Sequence, residues 1–166
     1  DEIEGVATFG TPSSHPLRIG VAGDAYAKNV IELNRLVLRN NHRNDASWLV
    51  SRSVNLLKPT GNFIIVSFAD ISQGHVGTVY QASGFTYHGL SAKRTDWKVR
   101  GLEHLHGQTI ADEFRGCESR AAMMREKYGS DFYLLPRPQK HRYLRIVVTR
   151  GFVAQASRSV KYSQEP

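Results

Sequence analysis

The sequence predicts a mixed α/β fold, one domain built on an open sheet with flanking helices. Three observations carry that prediction. Within Asn62–Ala69 the run Phe63-Ile64-Ile65-Val66-Ser67-Phe68 is continuous, β-branched and aromatic, which marks a strand buried on both faces and therefore central. Apolar residues alternate at Val30–Arg39 and again at Tyr143–Thr149. Between these segments lie stretches of helical spacing, bounded by capping and turn residues. A chain of 166 residues, 40% hydrophobic and 22% charged, can bury a sizeable core, and wholesale disorder is excluded.

Taken in order, Gly5 to Phe9 reads as a short strand closed by Gly10, Thr11 and Pro12. Val30–Arg39 reads as a strand with Ile31, Leu33 and Val37 on one side and Leu36 and Leu38 on the other. Asn44 or Asp45 can cap a helix over Ala46–Leu57, where Leu49, Val50, Ser53, Leu56 and Leu57 fall at helical spacing. Lys58-Pro59-Thr60-Gly61 ends it. After the central strand, Asp70 marks a turn, Gly74–Ser83 can form a helix stopped by Gly84, and Phe85–Leu90 a strand. That order implies a right-handed crossover. A further helix is expected over Glu118–Tyr128, with Gly129 as its stop and Met123, Met124 and Tyr128 on its packed side. Pro136 and Pro138 precede the last strand, whose Leu144, Ile146 and Val148 share a face. The chain begins at Asp1 without a methionine and its first pattern starts at Val6, so a preceding segment is expected.

Several function classes are excluded. No apolar run approaches the ~20 residues that cross a bilayer, and no signal-peptide pattern opens the chain. The lone cysteine, Cys117, cannot form an internal disulfide or a thiolate-only cluster, and one cysteine fits a reducing compartment. Gly-x-Ser-x-Gly, His-Glu-x-x-His, a Cys/His zinc pattern, a Walker A loop and a dinucleotide fingerprint are all missing.

Charge points towards a polyanion. Residues 1–114 balance 11 Lys/Arg with 11 Asp/Glu, while residues 115–166 hold 11 against 4, so the net +7 belongs to the last third. A solvated basic tail is the alternative. Two runs mix cations with aromatic groups. The first is Lys93-Arg94-Thr95-Asp96-Trp97-Lys98-Val99-Arg100, the second Arg137-Pro138-Gln139-Lys140-His141-Arg142-Tyr143-Leu144-Arg145, with Arg150, Arg158 and Lys161 beyond it. Such mixtures suit phosphate contact with base stacking; for the first, an exposed loop anchored by Trp97 is the plainer reading.

Ligands of open α/β sheets gather at the carboxyl ends of strands and at following helix N-termini, which places Asp70 and Ile71-Ser72-Gln73-Gly74-His75-Val76-Gly77-Thr78 at the candidate site. The two glycines let backbone N–H groups approach a pyrophosphate, or simply make a tight turn. A side chain at Gly77 is expected to block a phosphate while sparing the fold. Asp70 and Tyr80 face one cleft if the helix packs back over the strand end. They would then serve as hard-metal ligands or as an acid/base pair; a turn-capping Asp70 and a packed Tyr80 are the alternatives. In Glu103-His104-Leu105-His106-Gly107, a strand would put both histidines on one side, as in divalent-metal sites, though no third ligand is identifiable.

The segment NFIIVSFADISQGHVGTVYQASG, with YHGLSAKRTDW and LHGQTIADEFRG, resembles the phage Mom family of DNA adenine-modification proteins. LPRPQKHRYLRIVV and GVATFGTPSS carry the likeness over nearly the whole chain. The resemblance implies a fold related to the acyl-CoA-dependent N-acetyltransferases. It implies conversion of adenine N6 to a methylcarbamoyl-type group in double-stranded phage DNA, which protects that DNA from host restriction in the host cytoplasm. It implies an acyl-CoA donor, acetyl-CoA foremost, with Arg35 in ELNRLVL and Ser47 in DASWLV beside it and Gly74, His75, Val76 and Gly77 at its phosphates. It further implies iron, with the family's carboxylate and tyrosine falling on Asp70 and Tyr80 and a His/Tyr contribution upstream of this chain. The DNA backbone would meet Lys93, Arg94, Trp97, Lys98, Arg137, Lys140, His141, Arg142 and Tyr143. Gln73-Gly74-His75-Val76-Gly77 departs from the acetyltransferase Gln/Arg-x-x-Gly-x-Gly/Ala loop. A non-catalytic DNA-binding module and a protein or small-amine N-acetyltransferase are the other readings. No residue pattern fixes the oligomeric state, a homodimer being one option.

Overall fold

The computed structural model describes residues 2–147, so Val148, Thr149, Arg150, Arg158 and Lys161 lie outside it. The described residues form two compact units, one of residues 2–91 with 140–147, the other Ala92–Gln139.

The first unit is a five-stranded sheet of β1 (Gly5–Gly10), β2 (Val30–Leu38), β3 (Phe63–Asp70), β4 (Thr86–Leu90) and β7 (Lys140–Val147), in the order β1-β2-β3-β7-β4. β1 and β2 are antiparallel, β2 and β3 parallel, and β7 runs antiparallel to both β3 and β4. The apolar run of β3 is central as expected, with Ile64, Ile65 and Val66 wholly buried. Alternation along β3 feeds two cores. Ile65 and Ala69 join Leu33, Tyr143 and Val147 beneath α2 (Asp45–Leu57) and α3 (Thr78–Ala82). Ile64 and Val66 join Val30 and Leu144 beneath α1 (His15–Ala22).

Four expectations change. The crossover from β3 to β4 skips a place, because β7 enters between them. α3 begins only at Thr78, since Gly74 and Gly77 take left-handed φ of +67° and +72° and keep the chain out of the helix. In β2 the pairing with β1 passes from Thr8↔Arg35 to Phe9↔Leu33, stepping over Asn34. That irregularity brings Leu36 to the same core as Leu33 and leaves Val37 59% exposed, reversing the expected sides. The apolar stripe of α2 is Val50 and Val54, a four-residue step, and Leu56 is exposed. α1 went unanticipated: Ser14 caps it by accepting from the Leu17 N–H at 3.3 Å, and Pro16 sits in its first turn.

In the second unit β5 (Arg94–Val99) pairs antiparallel with β6 (Phe132–Arg137), and α4 (Gly107–Asp112) and α5 (Arg120–Tyr128) pack with them. Val99, Ile110, Phe114, Met124 and Phe132 make its core, and Met124 is wholly buried, as its helical position implies. The segment around His104 and His106 is a turn and not a strand. His106 caps α4, its Nδ1 accepting from the Gln108 N–H at 3.1 Å.

Candidate active site

The parallel ladder between β2 and β3 is short: Val30↔Ile64, Ile31↔Ile65 and Glu32↔Val66 pair, and beyond them the strands part. Into the opening falls a cleft of about 610 Å³. Residues 32–36 of β2 form one wall, Phe68 and Ala69 of β3 another, and residues 74–80 with Lys140 complete it. Because the opening lies within the sheet, the cleft is lined from both faces. Val30 and Val66 belong to the core under α1, so alternation places Glu32 and Phe68 on that face. Leu33, Ala69 and Tyr80 belong to the core under α2 and α3.

The residues expected at a donor site converge here in part. Arg35, Gly74, His75, Val76, Gly77 and Tyr80 all line the cleft. Ser47 does not: it lies in the first turn of α2, where its hydroxyl donates to the Asn44 carbonyl at 3.0 Å. At Gly74 a Cβ would meet nothing within 4 Å, so that backbone is open to a ligand. Gly77 differs. A Cβ there would lie 2.2 Å from Cε2 of Tyr143, whose phenol donates to the Val76 carbonyl at 2.6 Å and accepts from Gln81 Nε2 at 3.1 Å. A substitution at Gly77 therefore attacks the fold itself, which corrects the expectation that it would spare it.

Asp70 stands at the end of β3, directly across from Lys140 in the ladder with β7. Its carboxylate accepts from the Ser72 hydroxyl at 2.6 Å and N–H at 3.0 Å, and Lys140 Nζ lies 3.0 Å away. The Ser72 hydroxyl first and Lys140 next hold its pKa down at about 2. Tyr80 packs 5.5 Å from the ring of Tyr143, and its phenol donates to the Phe68 carbonyl at 3.4 Å. Alternation sets Asp70 on the face of Phe68, whereas Tyr80 packs on the other. Tyr80 lines the cleft and Asp70 stands outside its lining. Lys140 pairs with the Asp70 carboxylate, and Asp70 and Tyr80 lie on opposite faces, so the two do not converge as a ligand pair. Among the described residues no group of three or more His, Cys, Asp or Glu could hold a metal ion.

Glu32 was missed in the sequence, where a charged residue in an alternating strand reads as solvent-facing. It is half-buried, it lines the cleft, and burial pushes its carboxyl above the ordinary value against the pull of Lys140 and Arg35.

The residues expected on DNA divide. Lys93 and Arg94 are exposed and border an open concavity with Thr95, Pro136, Arg137 and Gln139. Arg94 and Arg137 stand directly opposite across the ladder, a juxtaposition of like charges. Arg137 is paired with Asp96, whose pKa it lowers. Trp97 packs edge-on against Phe132 at 6.1 Å and anchors the unit's core, and Lys98 Nζ donates to the Glu103 carbonyl at 3.4 Å. In β7 the expectation is corrected: Arg142 and Tyr143 are 4% and 2% exposed, Arg142 donating to the Leu90 carbonyl, so neither side chain can lie on a DNA surface. His141 is half-buried against Tyr87, and Lys140 belongs to the cleft.

The sequence profile of the Mom protein family matches residues 1–164. The chain belongs to the Mom family. Membership makes DNA the substrate class and modification of phage DNA the activity to be explained. No curated protein matches the chain. Among the described residues of this Mom chain, no helix is long and apolar enough to cross a membrane.

Proposed function

We propose that this Mom chain is an N-acetyltransferase-like enzyme that transfers an acyl-type group from an acyl-CoA to N6 of adenine in double-stranded DNA. That transfer makes the first bond towards the methylcarbamoyl-type group implied by the resemblance. The observation that carries the reading is the cleft where β2 and β3 part. Beyond Glu32 and Val66 the facing strand edges have no partner in the ladder, so an extended chain bearing amides, such as the pantetheine arm, can pair with them. The open backbone at Gly74 leaves room for the phosphates of the same donor, and Arg35 lines the cleft beside it. When bound, the donor supplies an electrophilic thioester carbon. The adenine must leave its stack to reach the cleft, so base flipping accompanies the reaction. Lys93 and Arg94, with Arg137 when released from Asp96, hold DNA phosphates.

Nucleoside mass spectrometry of DNA co-expressed with the protein tests the reading, alongside calorimetry with CoA. A mass-shifted deoxyadenosine and CoA binding weakened by Arg35→Ala are expected. Unmodified DNA that is nevertheless tightly bound would replace the enzyme with a binding module. CoA binding without DNA modification would favour a protein or small-amine acetyltransferase.

A further inference from the structure

A half-buried carboxylate in the middle of a strand is costly unless something donates to it. Glu32 has no such donor: among the described residues no hydrogen bond or ion pair reaches its side chain, although Asp70, at the end of the neighbouring strand, has two donors and an ammonium. Its neighbours keep it accessible. Across the ladder with β1 stands Gly10, which has no side chain to cover it, and across the ladder with β3 stands Val66, which cannot donate. The cleft opens immediately beyond, with Phe68 as an apolar wall and Lys140 and Arg35 as the cations that face it. Lys140 is held by Asp70 at 3.0 Å and Arg35 donates to the Asn34 carbonyl at 3.1 Å, so neither cation is hydrogen-bonded to Glu32.

We propose that Glu32 is the catalytic residue that accepts the N6–H of the flipped adenine and takes its proton during transfer. This rests on the reading of the cleft as the site of adenine modification. Adenine offers an exocyclic amine with two hydrogens, the complement of an unpaired carboxylate. In the step, the N6 lone pair forms the bond to the carbonyl carbon of the acyl thioester. The electrons of the C–S bond leave with sulfur as thiolate, and one N6 proton passes to a Glu32 oxygen. The same carboxylate that recognises the amine therefore removes its charge as it forms, and burial suits it to hold a proton.

Two measurements on the parent protein and Glu32→Gln test this. The first is adenine modification in co-expressed DNA by nucleoside mass spectrometry, with a melting curve. The variant keeps size and shape but cannot take a proton, so modification should fall about 100-fold or more at unchanged melting temperature. The second needs no turnover: calorimetric titration with dAMP and with dIMP, which carries a carbonyl where dAMP has the amine. The parent should prefer dAMP by about tenfold or more, the scale of a hydrogen bond to a charged group, and Glu32→Gln should lose most of that preference. Modification retained within about threefold would overturn the proton-accepting role, and an equal affinity of the parent for the two nucleotides would overturn amine recognition. If Glu32→Gln fails to fold, the parent's dAMP/dIMP ratio decides. A parent that prefers dAMP yet modifies no DNA would instead overturn the enzymatic reading and the proton transfer with it, leaving recognition standing.

Discussion

Replacing Gly77 by alanine should cost far more than the same change three residues earlier. Both glycines take left-handed φ, +67° at Gly74 and +72° at Gly77, and each substitution incurs about 1–2 kcal/mol of backbone strain. There the likeness ends. The new methyl at Gly74 meets nothing within 4 Å, while at Gly77 it would stand 2.2, 2.4 and 2.7 Å from Cε2, Cζ and Oη of Tyr143. Carbon atoms settle near ~3.5–4.0 Å, so the ring must move by more than about 1 Å. Tyr143 is 2% exposed and cannot yield into solvent. Overpacking of a dense core adds about 1–3 kcal/mol. Movement of the ring also threatens the bonds from its phenol to Val76 and from Gln81 to its phenol, each worth about 1 kcal/mol. Gly77→Ala should therefore lower stability by about 3–6 kcal/mol and Gly74→Ala by about 1–2. Urea unfolding followed by circular dichroism reads both, and Gly77→Ala combined with Tyr143→Ala should cost less than the sum of the two single changes. Equal midpoints for Gly74→Ala and Gly77→Ala would refute the close approach of Gly77 to the Tyr143 ring.

Three other outcomes are expected. Asp70 titrates well below an ordinary carboxylate in the folded protein, so its interactions stabilise fully above pH ~4 and disappear as pH falls through about 2. With solvent screening they are worth about 1 kcal/mol, and Asp70→Asn should shrink the difference in urea midpoint between pH ~7 and pH ~2. Lys93→Ala and Arg94→Ala should each reduce the log–log salt slope of DNA binding by roughly 0.9 for each phosphate that is no longer neutralised, measured by filter binding, with little change in melting. Arg142→Glu should instead unfold the first unit, because it buries an acid where Arg142 is 4% exposed; a soluble variant with the parental melting temperature would contradict the burial.

How much of this was legible in the sequence depended on how local each signal was. The central strand announced itself, because a run as apolar as Phe63–Phe68 has few other uses. The turn at Gly74–Gly77 and the capped end at Asp70 were equally visible, and Arg35 and Gly74–Gly77 line one cleft. What stayed hidden depended on partners distant in sequence. Lys93–Arg100 read as an exposed, charged run and Phe132–Arg137 gave no strand signal, since their apolar side chains pack on each other and on two short helices. Arg142 and Tyr143 looked like a basic, aromatic surface until β7 was seen between β3 and β4, where both faces of a strand are covered. Ser14 followed by Pro16 was a usable helix start that an eight-residue helix gave too little periodicity to reinforce. Glu32 was beyond reach, because nothing in its own strand says that the neighbouring strand turns away one residue later.

The place of β7 also dictates the order in which this protein can be assembled. The strand that fills the gap between β3 and β4 is synthesised last of the five, after a detour, Ala92–Gln139, that forms a unit of its own. Until it arrives, β3 and β4 have no common neighbour and the buried faces of Ile64, Ile65 and Val66 lack the side chains of Tyr143, Leu144 and Val147. The nascent chain must therefore carry an open slot in the middle of its sheet, at the stage when unpaired edges invite wrong partners. Closure is a late, long-range event and so a slow one, fastened by Ser91 and Lys140, whose backbones join at 2.8 Å where the detour leaves and returns.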